Sequence, residues 1–161
     1  MPVTNVEKDF EALTMTITAE FDADAARVWE LWSDPRQLER WWSPPSHSST
    51  FVEHELTVGA RTAYFMTGPD GEKHHGWWRI EEAEPPHRLR IKDDDVDESG
   101  KPKDEGPTAM TVTIAETEGT ATMSIETHFG DRESMEQTIE MGFEQGMTET
   151  LDQIDPLLGV N

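Results

Sequence analysis

Apolar and polar residues alternate with period two along much of this chain, the signature of half-buried β-strands. Leu13, Met15, Ile17, Ala19 and Phe21 are separated by Thr14, Thr16, Thr18 and Glu20. Val52, His54, Leu56 and Val58 alternate with Glu53, Glu55 and Thr57; Ala60, Thr62, Tyr64 and Met66 alternate with Arg61, Ala63 and Phe65. Leu89 and Ile91 stand between Arg88, Arg90 and Lys92. Met110, Val112 and Ile114 flank Thr111 and Thr113, and Met123, Ile125, Thr127 and Phe129 are spaced by Ser124, Glu126 and His128. One apolar and one polar face per strand predicts an antiparallel sheet covered on one side only.

Turn chemistry separates these strands. Gly68 to Gly71 reads as a hairpin turn into a strand carrying Trp77 and Trp78. Pro85 and Pro86 end that strand, because proline cannot donate to a central ladder. A long acidic loop spans 93–107, and Glu118 with Gly119 closes the last hairpin. Elsewhere the spacing is helical. A first helix is predicted over about 24–33, with Val28, Leu31 and Trp32 on one face. A second starts at the capping Asp34, with Pro35 at its first position, Gln37 completing a capping box, and Leu38, Trp41 and Trp42 apolar. A third, long helix begins near Ser134 and repeats Met135, Ile139, Phe143, Met147, Leu151, Ile154 and Leu158. The order strand, two short helices, six strands, long helix predicts an α+β fold in which one helix covers the sheet.

Composition narrows the picture. The chain has 161 residues, enough for one core and too few for two, so a single domain is expected over 1–161. No apolar run approaches the roughly 18 residues of a membrane span, and the first residues lack the pattern of a secretory signal. A cytoplasmic location is the expectation. With no cysteine, disulfides, thiolate zinc sites and cysteine nucleophiles are excluded. The net charge of −21 repels phosphate backbones and anionic lipid, which argues against nucleic-acid or membrane partners. That charge fits a solvating acidic surface, or a basic partner.

Four of the six tryptophans, Trp29, Trp32, Trp41 and Trp42, fall within residues 27–45. The segment Arg27-Val-Trp-Glu-Leu-Trp-Ser-Asp-Pro-Arg-Gln-Leu-Glu-Arg-Trp-Trp42, after the strand ending at Phe21, resembles the opening of the START-like, or Bet v 1-like (SRPBCC), superfamily. Tyr64 to Gly71, Gly76-Trp77-Trp78 and Glu140 to Asp155 follow in the order seen in the C-terminal domain of the activator of Hsp90 ATPase. The resemblance covers about 13–158 and implies a helix-grip fold: a curved antiparallel sheet of six to seven strands around the long C-terminal helix. Where the family has a glycine pair, this chain has Gly59-Ala60. The activators also carry a separate N-terminal domain outside this sequence.

The resemblance further implies a cavity between sheet and helix. Gly142 and Gly146, four apart, share a helix face, either to make room for a ligand or to let helix and sheet approach closely. Both readings turn that face inward. Strand parity then nominates His54, Thr62, Tyr64, Met66, Trp78, Met110 and Val112 as lining, with Phe143 and Met147 from the helix. Trp41 and Trp42 are placed at one end. This lining suits a small apolar molecule. The alternatives are a co-chaperone-like module that binds a chaperone or other protein, and a cyclase- or hydrolase-like enzyme. An enzyme would need converging polar groups, such as His54 with Tyr64. No nucleophile elbow or phosphate-cradling loop is present, so no catalytic residue and no cofactor is expected.

Histidine spacing supplies no metal framework. His74 and His75 are neighbours on a strand and face opposite sides. Asp95, Asp97 and Ser99 with Gly100 imitate half of a calcium loop, but its seventh and ninth positions are Lys101 and Lys103, and Gly106 stands where a bidentate glutamate is required. Neither pattern supports a metal site. A monomer or a homodimer is equally compatible with the sequence.

Overall fold

The computed structural model describes residues 3–93 and 107–158; the calcium-like loop lies outside them. Among the described residues eight strands form one antiparallel sheet: β1 (Val3–Asp9), β2 (Thr14–Phe21), β3 (Ser48–Glu53), β4 (Arg61–Thr67), β5 (Lys73–Glu84), β6 (Arg88–Asp93), β7 (Pro107–Thr117) and β8 (Thr120–Phe129). Their order is β1-β2-β8-β7-β6-β5-β4-β3, so β1 and β3 are the edges. Two short helices, α1 (Ala25–Ser33) and α2 (Pro35–Leu38), follow β2, and α3 (Arg132–Glu140), α4 (Phe143–Asp152) and α5 (Ile154–Leu157) close the chain. The helix-grip architecture is the one expected.

Alternation translates into burial where it is cleanest. Met15, Ile17, Ala19 and Phe21 on β2 are buried, as are Met123, Ile125 and Phe129 on the adjacent β8. Leu89, Ile91, Val112 and Ile114 extend the same inner face across β6 and β7. Asp24 caps α1 by accepting from Arg27 N at 2.7 Å, and Val28, Leu31 and Trp32 turn fully inward.

The structure corrects four expectations. Strand β1 is an additional edge strand; only Val3 and Val6 pack against the core, so its residues carry no clear alternation. Helix α2 stops at Leu38, leaving Trp41 and Trp42 in the turn beyond it. Strand β3 ends at Glu53, short of the strand read through Val58, and runs in the opposite parity from that read at Val52. Phe51 is buried while Val52 and Val58 are 71% and 64% exposed. Burying a phenylalanine removes more apolar area than burying a valine, and Phe51 stacks on Tyr64 at 4.9 Å. A register shift between Phe51 and Glu53 ends that ladder, and His54 then turns its ring inward.

The C-terminal helix is the fourth correction. It begins one turn earlier than Ser134, because Asp131 is the cap and accepts from Ser134 N at 2.7 Å. It is also interrupted. Gly142 has φ +94°, a left-handed conformation that ends α3 and that residues with a Cβ rarely adopt. Gly142 is therefore exposed at a break, and only Gly146 lies inside a helix facing the sheet. Past α4, the Gln153 amide donates to the Ser43 carbonyl at 2.6 Å, tying the helix to the tryptophan segment.

Candidate functional site

A cavity of about 420 Å³ lies between the sheet and α4. Its floor comes from Tyr64 and Met66 on β4, Trp78 on β5 and Met110 on β7; Phe143 and Met147 of α4 form the roof, and Trp42 closes one end. Strand parity points to the first four, helical spacing to Phe143 and Met147, and the end of the second helix to Trp42. Seven further positions complete the wall. Ile91 and Ala109 extend the floor, Pro44 adjoins Trp42, and Asp93 and Pro107 stand at the ends of β6 and β7. Gly146 and Thr150 line the α4 side. Thr150 was accessible to sequence reasoning, since 143, 147 and 150 fall on one helical stripe, but a threonine breaks the apolar pattern.

Four nominated residues lie outside the cavity. Val112 is buried in the core. Trp41 is fully buried, its indole N–H donates to the Leu31 carbonyl at 2.9 Å, and its ring meets Trp32 edge-on at 4.8 Å. The two adjacent tryptophans thus divide their roles. Trp42 stacks edge-on against Trp78 at 4.6 Å and faces the cavity. Its indole nitrogen is buried with no hydrogen-bond acceptor among the described residues, an arrangement that costs about 1–3 kcal/mol and recurs at functional sites.

His54 and Thr62 bind each other. Thr62 is fully buried, its hydroxyl lies 2.8 Å from His54 Nδ1, and His54 Nε2 donates to the Trp32 carbonyl at 2.6 Å. Because a carbonyl only accepts, Nε2 carries the proton and neutral Nδ1 accepts from Thr62. Both ring nitrogens are therefore committed to holding α1 against the sheet. His54 does not converge with Tyr64 in the cavity, and the proposed acid–base pair is not assembled there.

Burial pushes the His54 imidazole below its ordinary pKa of 6.5, partly offset by the bond to Trp32. Above that value both folded and unfolded states hold it neutral. As pH falls below it, the unfolded chain takes up a proton that the folded state resists, so stability drops through that window. His54→Gln removes this contribution. Urea unfolding at about pH 7.5 and about pH 5.5 should show the stability gap between wild type and variant narrowing in acid. A gap independent of pH would contradict the assignment.

Packing holds the cavity wall in place. Tyr64 lies opposite Gly76 across the β4–β5 ladder, and a Cβ on Gly76 would sit 2.5 Å from the Tyr64 ring and hydroxyl. The missing side chain lets that ring lie flat over the strand, between Phe51 at 4.9 Å and Trp78 at 5.3 Å. Gly146 is the reverse case. A Cβ there would meet nothing within 4 Å, so the space beyond it is open.

At the hairpin end of the β4–β5 ladder the fold brings together groups that sequence spacing kept apart. His74 and His75 do face opposite sides, but His47, from the loop before β3, approaches Glu72 and His74.

The sequence profile described as activator of Hsp90 ATPase homolog 1-like protein matches residues 22–159. No curated protein matches the chain. Among solved structures, a protein from Arthrobacter aurescens is 49% identical, with a TM-score of 0.90 over 98% of this chain and 92% of that one. Protein Ms6760 from Mycobacterium smegmatis is 42% identical, with a TM-score of 0.85 over 98% of this chain and 97% of that one. A Staphylococcus epidermidis protein, 23% identical with a TM-score of 0.82 over 97% of this chain and 94% of that one, shares the fold.

Proposed function

The chain belongs to the activator of Hsp90 ATPase homolog 1-like family, and from that premise we propose that it binds a small, largely apolar molecule between the sheet and α4. The observation that carries this reading is the cavity itself. Its volume falls within the roughly 300–1,000 Å³ of small-molecule sites, and aromatic, aliphatic and thioether groups dominate its wall. Methionines at 66, 110 and 147 adapt to ligands of different outline, because the thioether chain is unbranched and polarisable. Asp93, Thr150 and Tyr64 add polar character to this wall. The protein's net charge of −21 favours a neutral or cationic guest over an anionic one. His54 is committed to structure, so the reading is of binding rather than catalysis.

The test is direct. Native mass spectrometry after exposure to a metabolite extract should retain a small apolar species. A neutral solvatochromic dye such as Nile red should bind, be displaced by that species, and quench indole fluorescence through Trp42 and Trp78. Retention of nothing, with no dye binding, would sink the proposal. A second reading follows from the family's description: association with an Hsp90-type chaperone. It draws on the acidic surface and on Met141, 87% exposed at the α3–α4 break. Capture of such a chaperone at moderate salt, unaffected by filling the cavity, would favour it.

A further inference from the structure

The geometry points to a divalent transition-metal site formed by His47, Glu72 and His74, at the end of the β4–β5 ladder. Each of these residues offers one ligand atom, and the three atoms lie within 4.8 Å of one another. Tetrahedral zinc with bonds of about 2.0–2.2 Å sets neighbouring ligand atoms about 3.3 Å apart. Closing that difference calls for side-chain adjustment of the exposed Glu72 and His74 and of the half-buried His47. Two imidazoles and one carboxylate form a donor set that suits zinc, copper or nickel rather than calcium or magnesium.

The surroundings are arranged as metal ligands require. Ser46 Oγ lies 2.8 Å from His47 Nδ1, so with Nε2 on a metal the Nδ1–H donates to that hydroxyl and fixes the ring. The Asp70 backbone N–H donates to Glu72 Oε2 at 3.0 Å, while Oε1 faces His74 Nε2 at 3.9 Å. One carboxylate oxygen is thus anchored and the other aimed at the histidine. Gly68 provides the room, because a Cβ there would collide with Glu72 Oε1. The His47 and His74 ring centroids lie 6.2 Å apart, with the planes tilted by 47°.

Position makes the site consequential. His74 lies opposite Met66 of the cavity wall and shares strand parity with the buried Gly76 and Trp78. Three protein ligands leave a coordination position open, and a bound ion would stand beside the cavity wall with that position available. The excess of negative charge draws cations toward the surface in general. This cluster would bind a metal whether or not the cavity takes a ligand.

Titration of the full chain with zinc ion, in excess magnesium to occupy carboxylate-only sites, should show one zinc per chain. In histidine-ring NMR spectra the His47 and His74 resonances should move, and those of His75 and His128 should not. His47→Gln and His74→Gln should each weaken binding by about tenfold or more, with His75→Gln unchanged. The same zinc binding should persist in Gly146→Phe, which separates this proposal from ligand binding in the cavity. Wild-type affinity in the His47→Gln/His74→Gln double variant would overturn it. So would complete displacement by magnesium, or NMR shifts confined to His75 or to His128, which pairs with Glu126 at 2.9 Å.

Discussion

Gly146→Phe is expected to abolish binding of Nile red and of any retained apolar molecule, while Gly146→Ala makes the protein more stable. The opposite signs arise from one position. Gly146 lies within α4, where a glycine costs about 1 kcal/mol relative to alanine, and a Cβ there meets nothing within 4 Å. Alanine therefore recovers about 0.5–1 kcal/mol without a collision. Phenylalanine instead sends a ring from the α4 wall into a cavity of about 420 Å³. Affinity should fall by at least about a hundredfold, since a filled site loses most of the apolar contact area available to a guest. Equilibrium unfolding and dye titration of both variants decide the matter. Undiminished dye binding in Gly146→Phe would show that the cavity is not the site. A destabilised Gly146→Ala would show that glycine is there for close packing.

Trp41→Ala should cost about 3–5 kcal/mol of stability, a large share of the roughly 5–15 kcal/mol that holds a domain folded. Trp41 is fully buried, packs edge-on against Trp32, and supplies the N–H that satisfies the Leu31 carbonyl. Its removal leaves both a cavity and a buried acceptor without that donor. Trp42→Ala should behave differently. Its half-buried ring closes one end of the cavity and makes no hydrogen bond among the described residues, so the loss appears mainly in ligand affinity. Urea midpoints set beside dye affinities for the two variants would separate the roles. Equal stability losses, with unchanged affinity in Trp42→Ala, would remove the distinction.

Two adjacent residues of one type thus have different fates, which marks the limit of local pattern. Period-two alternation identified the inner faces of β2, β6, β7 and β8, because one face of those strands is buried while most of the other stays partly open to solvent. It misread β3, where two valines suggested one register and a single phenylalanine with aromatic neighbours imposed the other. Helical spacing found Phe143 and Met147 but ran through Gly142, where a left-handed residue breaks the helix. Four of the cavity positions, Tyr64, Met66, Trp78 and Met110, follow from strand parity, Phe143 and Met147 from helical spacing, and Trp42 from its place after the second helix. The remainder arose at strand ends and at small or polar residues, which carry no hydrophobic signal.

The segment order from β2 onward, the caps at Asp24 and Asp34, the turns and the inward face of most strands were determined by the sequence alone, since each depends on residues within a few positions of one another. Tertiary structure decided which tryptophan is core, how much space remains beside Gly146, and that His47 meets Glu72 and His74. Empty volume and the approach of distant side chains depend on how the strands and helices settle against one another. No local spacing encodes that sum.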